Sequence, residues 1–401
     1  MPMQRRQVLA GIGGLTTMSV AGCLGGSDDQ GTTLWHDFTD AEQSDLEDHV
    51  AAFNEDRDEE LNVEQVPEIV DQLDTAIPSG EGPETFGWAH DWVGTYYDRD
   101  FIYDASDDLS IDLEGTFTEA AVQAAQWEGG VYGIPYASEA VTLMYNEDMV
   151  DEPPETLDEM VEIMDEYHDP EEGMYGLSCP PADPYFISTF AQAFGGRFFD
   201  SETEDTHIDE DDFVEGVELL QNEIWPYVPA DPAYEAQIPV FADGNAPFAI
   251  NGPWEVDGFR DSDIDVTVTS MPDIEGGDPT PYTGIQLWYF TSNLEDAPEE
   301  EVETAVEWAE WHATSEDAIV SNAQNHGSIP VHQEYADDDD LGDDVAAFAE
   351  TVSMGIQMPA HERMDQVWNP VEDALEQVFN DQESAEDAMD AAAEEIRSRW
   401  D

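Results

Sequence analysis

Apolar residues recur three and four positions apart, the spacing of one helical face, in five stretches of the 401-residue chain: 44–53, 157–167, 213–224, 305–312 and 370–400. Shorter apolar runs, rich in β-branched and aromatic residues, fall between them at 33–36, 131–135, 141–145, 246–250, 264–269 and 287–290. Strands alternating with helices predict an α/β fold of layered sheets and helices, with mainly parallel pairing. Two helix starts are marked. Thr156 precedes Glu159 at the spacing of a capping box. Asp209 leads into an acidic first turn, which suits the positive end of a helix dipole. The chain shows neither a solenoid-type repeat nor a heptad run.

The pattern changes at the N-terminus. Arg5 and Arg6 precede a glycine-studded apolar run that ends Val20-Ala21-Gly22-Cys23. The run is too short to span a bilayer, which needs about 18 or more apolar residues, and reads as the core of an export signal. The paired arginines resemble a twin-arginine signal, and Val-Ala-Gly-Cys resembles a lipobox cleaved ahead of Cys23, so that this cysteine carries lipid. Residues 1–22 are then an export signal with its lipobox, and 23–32 a flexible tether. The folded body is expected to be extracellular, anchored to the outer face of the cell membrane. Cys179 remains as a lone cysteine, which leaves no intrachain disulfide. Removing 22 of 401 residues leaves 379, long for one core and comfortable for two domains.

Composition sets the milieu. Asp and Glu number 97 against nine basic residues, all of them arginine, for a formal net charge of -88. Such a charge usually accompanies disorder, yet 40% hydrophobic and 10% aromatic content is ample for a packed core. Self-repulsion on this scale destabilises a compact chain in dilute buffer and is screened in molar salt, where the Debye length is about 3 Å. The surface therefore reads as that of a halophilic protein. With so few cations no basic patch can form, which excludes nucleic acid as a partner.

Enzyme signatures are missing. There is no Gly-x-Ser-x-Gly, His-Glu-x-x-His, Walker loop or Rossmann glycine fingerprint, and the nine histidines make no metal-type spacing with the two cysteines. The acidic run 337–340 is a solvated loop and no EF-hand, since Leu341 and Phe348 occupy the fifth and twelfth positions, where oxygen ligands are required. With 97 carboxylates, pairing of acids carries no argument for a glycosidase. The reading is of a protein that is no enzyme and needs no cofactor or metal.

The aromatics discriminate better. Several of the eleven tryptophans sit in short polar contexts rather than in apolar stripes: Trp88-Ala89-His90-Asp91, Pro253-Trp254-Glu255 and Val367-Trp368-Asn369. A sugar ring offers an apolar C–H face and a rim of hydroxyls, so its site needs flat aromatic surface edged by carboxylate or amide acceptors. The segments 131–149 and 241–254 each carry a strand-like run to such a residue, Glu139 in the first and Trp254 in the second.

Over almost the whole of its length after the leader, the chain resembles the maltose- and maltodextrin-binding proteins of ABC importers, within the extracellular solute-binding proteins. The resemblance is carried, in order, by Leu34-Trp35, Trp88-Ala89-His90-Asp91, Tyr136-Ala137-Ser138-Glu139-Ala140 with Tyr145-Asn146, Asp183-Pro184-Tyr185-Phe186, Phe241 to Gly244 with Ile250-Asn251-Gly252-Pro253-Trp254, and Met358-Pro359 ahead of Trp368. It implies two α/β lobes of the type II periplasmic-binding-protein kind, each a sheet flanked by helices, joined by three crossings near 138–141, 283–287 and 327–331. The N-terminal lobe is expected at 33–137 plus 288–328, and the C-terminal lobe at 138–287 plus 329–401.

The resemblance further implies an oligosaccharide held between the lobes and handed, by a monomer, to the membrane subunits of an ABC permease. Trp88, Trp254 and Trp368 would stack on sugar rings with Tyr185 beside them, and Asp91, Glu139 and Asp183 would accept hydrogen bonds from hydroxyls. Met358 and Asp37 complete the expected ligand-binding set. Asp183 stands where the family usually has glutamate, Trp92 replaces an arginine, the loop 37–40 lacks a lysine, and Asn369 replaces an aromatic. These departures bear on which sugar is bound. The same carrier role for a polyol, a glycerol phosphate or a peptide is the alternative, followed by a secreted glycosidase or lectin.

Overall fold

The computed structural model describes residues 31–400 apart from Asp56, Asp263 and Asp337. The expected export signal, Cys23 and most of the tether lie outside the described residues, as does the first residue of the acidic run. Thirteen strands form three sheets among the described residues. Seven build a mixed sheet: β1 (Thr32–His36), β2 (Leu61–Gln65), β3 (Thr85–Ala89), β6 (Gly133–Glu139), β11 (Tyr282–Phe290), β12 (Ile329–Pro330) and β13 (Ile356–Gln357). Its order is β12-β6-β11-β3-β1-β2, with β13 paired to one end of β11. Four more, β7 (Thr142–Asn146), β8 (Leu177–Ser178), β9 (Phe248–Asn251) and β10 (Val266–Thr269), pair in the order β10-β7-β9-β8. A short hairpin, β4 (Gln126–Trp127) with β5 (Gly130–Val131), stands apart.

In the four-stranded sheet, the two central strands are apolar on both faces. Leu143 and Tyr145 of β7, with Phe248 and Ile250 of β9, enter one core, while Met144 and Ala249 enter another on the opposite face. A strand covered on both faces has no polar side to alternate with. Each fully buried Leu or Phe there contributes about 1.5–3 kcal/mol. The seven-stranded sheet has its own core around Leu34, Phe86, Ile134, Leu287 and Trp308.

The chain leaves the larger sheet between Glu139 and Thr142 and returns to it between β10 and β11. The stretches 138–141, 283–287 and 327–331 lie side by side: Ser138 is opposite both Ile285 and Ile329, and Glu139 is opposite Gly284. The Ser138 hydroxyl donates to the Gly284 carbonyl at 3.1 Å.

Several sequence expectations are corrected. Pairing is not mainly parallel: six strand pairs are antiparallel and four parallel among the described residues. The reason is topological, because β11 re-enters the large sheet between β3 and β6 and runs against both. The periodic stretch 370–400 is two helices, Asp365–Phe379 and Ala385–Trp400, broken at Asp381, whose φ of 55° is left-handed. The stretch 213–224 is the helix Asp211–Leu219 continued by one π turn, Leu220–Ile224. Thr156 caps its helix, its hydroxyl accepting from the Glu159 amide at 3.3 Å, while the Glu159 carboxylate reaches back to the Glu155 amide at 2.9 Å. Cys179 is free and buried.

As expected, Asp209 precedes a helix whose first turn is acidic, carrying Asp211 and Asp212, and it has a further role besides. Glu210 occupies the N-cap position without a side-chain capping bond, and Asp209 accepts two hydrogen bonds from Arg397, at 2.6 and 3.0 Å. Arg397 also reaches Asp205 at 3.0 Å and the Thr206 carbonyl at 2.8 Å, so it fastens the last helix to this loop. These side chains are partly exposed, which limits the pairing to about 1 kcal/mol after screening. Arg397→Ala is expected to lower the unfolding free energy in molar KCl by that amount, read as a lower urea midpoint at unchanged slope, and an unchanged midpoint would show that this fastening does not contribute.

Candidate functional site

A cleft of about 650 Å³ opens between the two large sheets. Asp37, Trp88, Asp91, Glu139, Asp183, Tyr185, Trp254, Met358 and Trp368 all line it. Most come from the ends of strands and the loops beyond, where a side chain leaves the sheet and faces open space, while Trp368 projects from the helix Asp365–Phe379. Trp88 is the next-to-last residue of β3, Glu139 closes β6, and Trp254 sits in the turn Pro253–Glu255 that follows β9. Of the replaced positions, Trp92 lines the cleft and Asn369 is exposed outside it.

The turn His90–Trp92 that carries Asp91 is pinned from beneath. His90 Nδ1 accepts from the Ile285 amide at 3.1 Å, so Nε2 carries the proton and donates to the Met358 carbonyl at 3.0 Å. Burial holds this imidazole neutral, lowering its pKa to about 4. One side chain thereby fixes Asp91, β11 and the Met358 segment together.

Trp254 is set by close packing and a polar chain. Gly252 has no Cβ, and one added there would lie 2.2 Å from the Trp254 ring, so only glycine permits the approach. The indole Nε1 donates to the Tyr234 hydroxyl at 2.9 Å, which donates to Glu255 at 3.0 Å. Phe186 meets the indole edge-on, centroids 6.3 Å apart. Trp368 rests on Tyr282 and Phe198, at 5.8 and 6.3 Å between centroids. Asp183 folds its own turn, Oδ1 accepting from the amide of Tyr185 at 2.9 Å.

The carboxylates are under electrostatic pressure. Burial is the main cause, and it raises Asp91 and Glu139 to about 7, Asp37 to about 6, and Asp183 above its ordinary value. Glu42, Asp91 and Asp37 push Glu139 further, while Gln286 and Trp368 hydrogen-bond to Glu139 and Asp91 and partly restrain the rise. Among the described residues that line the cleft there is no arginine. The indole Nε1 of Trp88, Oδ1 of Asp91 and the hydroxyl of Tyr185 are buried and have no hydrogen-bond partner in the protein. A buried polar atom ordinarily has one. Two donors and an acceptor beside aromatic faces match a ligand that is apolar on its face and hydroxylated at its rim.

A raised carboxylate pKa has a definite sign for stability. Between the ordinary pKa of 4.5 and about 7, folded Glu139 holds a proton that the unfolded chain has released, so its contribution worsens as pH rises through that window. Glu139→Gln is expected to stabilise the ligand-free protein at pH 8 and to change it little at pH 5, read as urea midpoints. A gain of equal size at both values would contradict the assigned burial.

Glu42, Tyr234, Gln286 and His326 are among the cleft residues that escape the sequence reading. Glu42 had a usable signal, since it follows Thr39 at capping-box spacing and its carboxylate accepts from the Thr39 amide at 3.1 Å and hydroxyl at 2.9 Å. The other three have none.

Comparison with known proteins agrees with this architecture. Residues 48–349 match the family described as bacterial extracellular solute-binding protein. The chain is 34% identical over 363 residues to a maltotriose-binding protein of Pyrococcus abyssi, covering 88% of this chain and 78% of that one. It is 24% identical over 384 residues to a galactooligosaccharide-binding protein of Bacillus subtilis, covering 90% and 88%. Among solved structures, the Thermus thermophilus maltotriose binding protein bound with maltotriose matches at a TM-score of 0.83 and 22% identity, covering 92% and 100%. The maltose/maltodextrin-binding domain of Bdellovibrio bacteriovorus bound to maltotriose matches at 0.82 and 20%, covering 92% and 99%. The last two likenesses concern the fold, which is two-lobed. With a family match over most of its length and a relative above 30% identity, the chain belongs to the bacterial extracellular solute-binding proteins.

Proposed function

We propose that the protein captures a maltooligosaccharide in the cleft, without altering it, and presents it to an ABC permease. One observation carries this reading. Trp88 from the seven-stranded side faces the same cavity as Tyr185, Trp254 and Trp368 from the other, around buried Asp91 and half-buried Glu139 and Asp183. Rings supply stacking surface and carboxylates accept hydroxyl hydrogen bonds, which is the division of labour a glucose chain needs. A cleft without arginine disfavours a glycerol phosphate. The relatives are binding proteins, and this chain is read as one of them rather than as a glycosidase or lectin.

In this reading the lobes are 33–137 plus 288–328 and 138–287 plus 329–401, and the adjacent segments around Ser138, Gly284 and Ile329 form the hinge. Only the closed arrangement lets both lobes touch one ligand, so ligand shifts the open–closed equilibrium by its differential affinity. A twin-arginine leader and lipid on Cys23 would hold the monomer at the outer membrane face, in a salt-rich medium. Solution scattering with and without maltotriose tests the mechanism. A smaller radius of gyration with sugar, recovered intact, is the expected result; an unchanged radius on a saturated sample would point to an open-faced lectin, and shortened sugar to a hydrolase.

A further inference from the structure

The cleft has a polar inner end. It continues into a recess of about 10 Å³, room for the centre of one water, whose walls include Tyr136, His312, Asn322 and Ser328. These four also line the cleft itself, and no tryptophan borders the recess. In the sheet order β12-β6-β11-β3, Ser328 immediately precedes β12 and Tyr136 belongs to β6, while Trp88 lies in β3 and Asp91 in the turn after it. Neighbouring strands are about 4.8 Å apart, so the three steps from β12 to β3 span about 14 Å. The cleft therefore runs across the strand ends, from the polar recess toward the rings and carboxylate of the β3 side.

The inner end is walled. The helix Glu316–His326, which carries Asn322, packs against the helix Asp40–Asn54 on one side and against the Trp254 turn and the helix Val256–Arg260 on the other. His326, at its last position, lies 3.0 Å from both Asp45 and Asp257. A sugar chain entering the cleft cannot run on past this helix.

His312 offers a fixed donor at the recess. The Trp288 indole donates to its Nδ1 at 3.0 Å, and burial holds the pKa of the ring well below its ordinary value, so the neutral imidazole carries its proton on Nε2. Among the described residues no protein group pairs with that N–H, with the Asn322 amide or with the Ser328 hydroxyl. His49 also lines the cleft and meets the His312 ring edge-on at 5.3 Å, and its buried Nδ1 has no partner. Glu42 and Glu139, close to Tyr136, supply acceptors.

A hydroxyl donates one proton and accepts others, and a carboxylate meets only the first of these needs. With no arginine among the described residues of the cleft, the second need falls to neutral donors. A residue inside a glucose chain has its linking oxygens tied up in glycosidic bonds, whereas a chain end keeps a free hydroxyl there. We propose that His312, Asn322 and Ser328 form a terminal subsite, which holds the hydroxyls of a free chain end and makes the protein selective for open chains over closed rings of glucose. The wall excludes continuation of the chain, and the lack of a stacking tryptophan leaves hydrogen bonds as the means of recognition.

The subsite rests on the capture reading, and its test separates the two. Maltohexaose, its reduced alcohol and cyclomaltohexaose are titrated calorimetrically in molar KCl against the wild type and against a variant carrying Asn322→Ala and Ser328→Ala, both at half-buried positions. The wild type is expected to bind the open chain at least tenfold more tightly than the ring. The variant is expected to lose at least fivefold for the open chain and nothing for the ring. A weaker alcohol in the wild type then places the reducing end in the subsite, and an alcohol of unchanged affinity places the non-reducing end there. His312→Phe, which removes the Nε2 donor, is expected to act in the same direction; if its buried ring position does not tolerate the change, the Asn322 and Ser328 variant decides. Equal affinity of the wild type for chain and ring, or a folded variant that binds the chain as the wild type does, would overturn the subsite and leave capture standing. Absence of binding by all three sugars would strike the capture reading, and the subsite with it.

Discussion

Trp254→Ala is expected to weaken maltotriose binding more than tenfold while leaving the fold intact. The indole is half-buried, lies over Gly252, and is held by Tyr234 and Phe186, so its face is presented to the cleft at little entropic cost on binding. A tenfold loss is about 1.4 kcal/mol, which is modest for truncation of a preorganised aromatic anchor. The core behind it, from Phe248 to Val378, does not depend on the exposed face of the ring. Calorimetric titration of the variant, with its circular dichroism spectrum as a check on folding, reads both halves of the expectation. Unchanged affinity in a folded variant would remove Trp254 from the site.

The second large effect is that of salt. The chain carries a formal charge of -88, and its arginines are too few to neutralise it. At 0.1 M ionic strength the Debye length is about 10 Å and neighbouring carboxylates repel; at 1 M it is about 3 Å and they are screened. Transfer from 2 M KCl to 0.1 M is expected to lower the melting temperature by about 10 °C or more, the equivalent of several kcal/mol in a chain of this size. Choline chloride at equal ionic strength should restore the loss if screening is the cause. A melting temperature independent of ionic strength would mean that the acidic surface is held apart by geometry alone, and the salt-adapted reading would fall.

Legibility differed from element to element for physical reasons. The runs at β7 and β9 are plain because both faces are covered, which leaves mostly apolar residues. β2 was not read, since only Leu61 of its five residues is buried and the rest carry polar or half-exposed side chains. β3 was obscured by Gly87, which the fold requires because the Trp288 ring would lie 2.7 Å from any Cβ there. The break after Phe379 was hidden because the apolar periodicity resumes beyond it; Ser384, whose hydroxyl accepts from the Asp387 amide at 3.1 Å, was the available cue.

At the cleft, the residues placed together by the sequence are mostly those in short polar strings near strand ends, because such strings mark where the chain leaves the core; Trp368, in the first turn of the helix Asp365–Phe379, is the exception. Tyr234 and His326 come from the ends of helices and Gln286 from the middle of a strand, and only tertiary packing brings them to the same space. His326 shows the limit most clearly. Its two carboxylate partners lie 281 and 69 positions away, a distance over which no local pattern speaks.

The central claim is that the cleft binds a maltooligosaccharide, and calorimetric titration of the protein in molar KCl tests it most directly. Glucose, maltose, maltotriose, trehalose and glycerol 3-phosphate form the panel. Saturable one-to-one binding of maltose or maltotriose, with the sugar recovered intact, is the predicted result. No heat from any of the sugars, on a sample shown to be folded, would contradict it and move the cleft to a different solute.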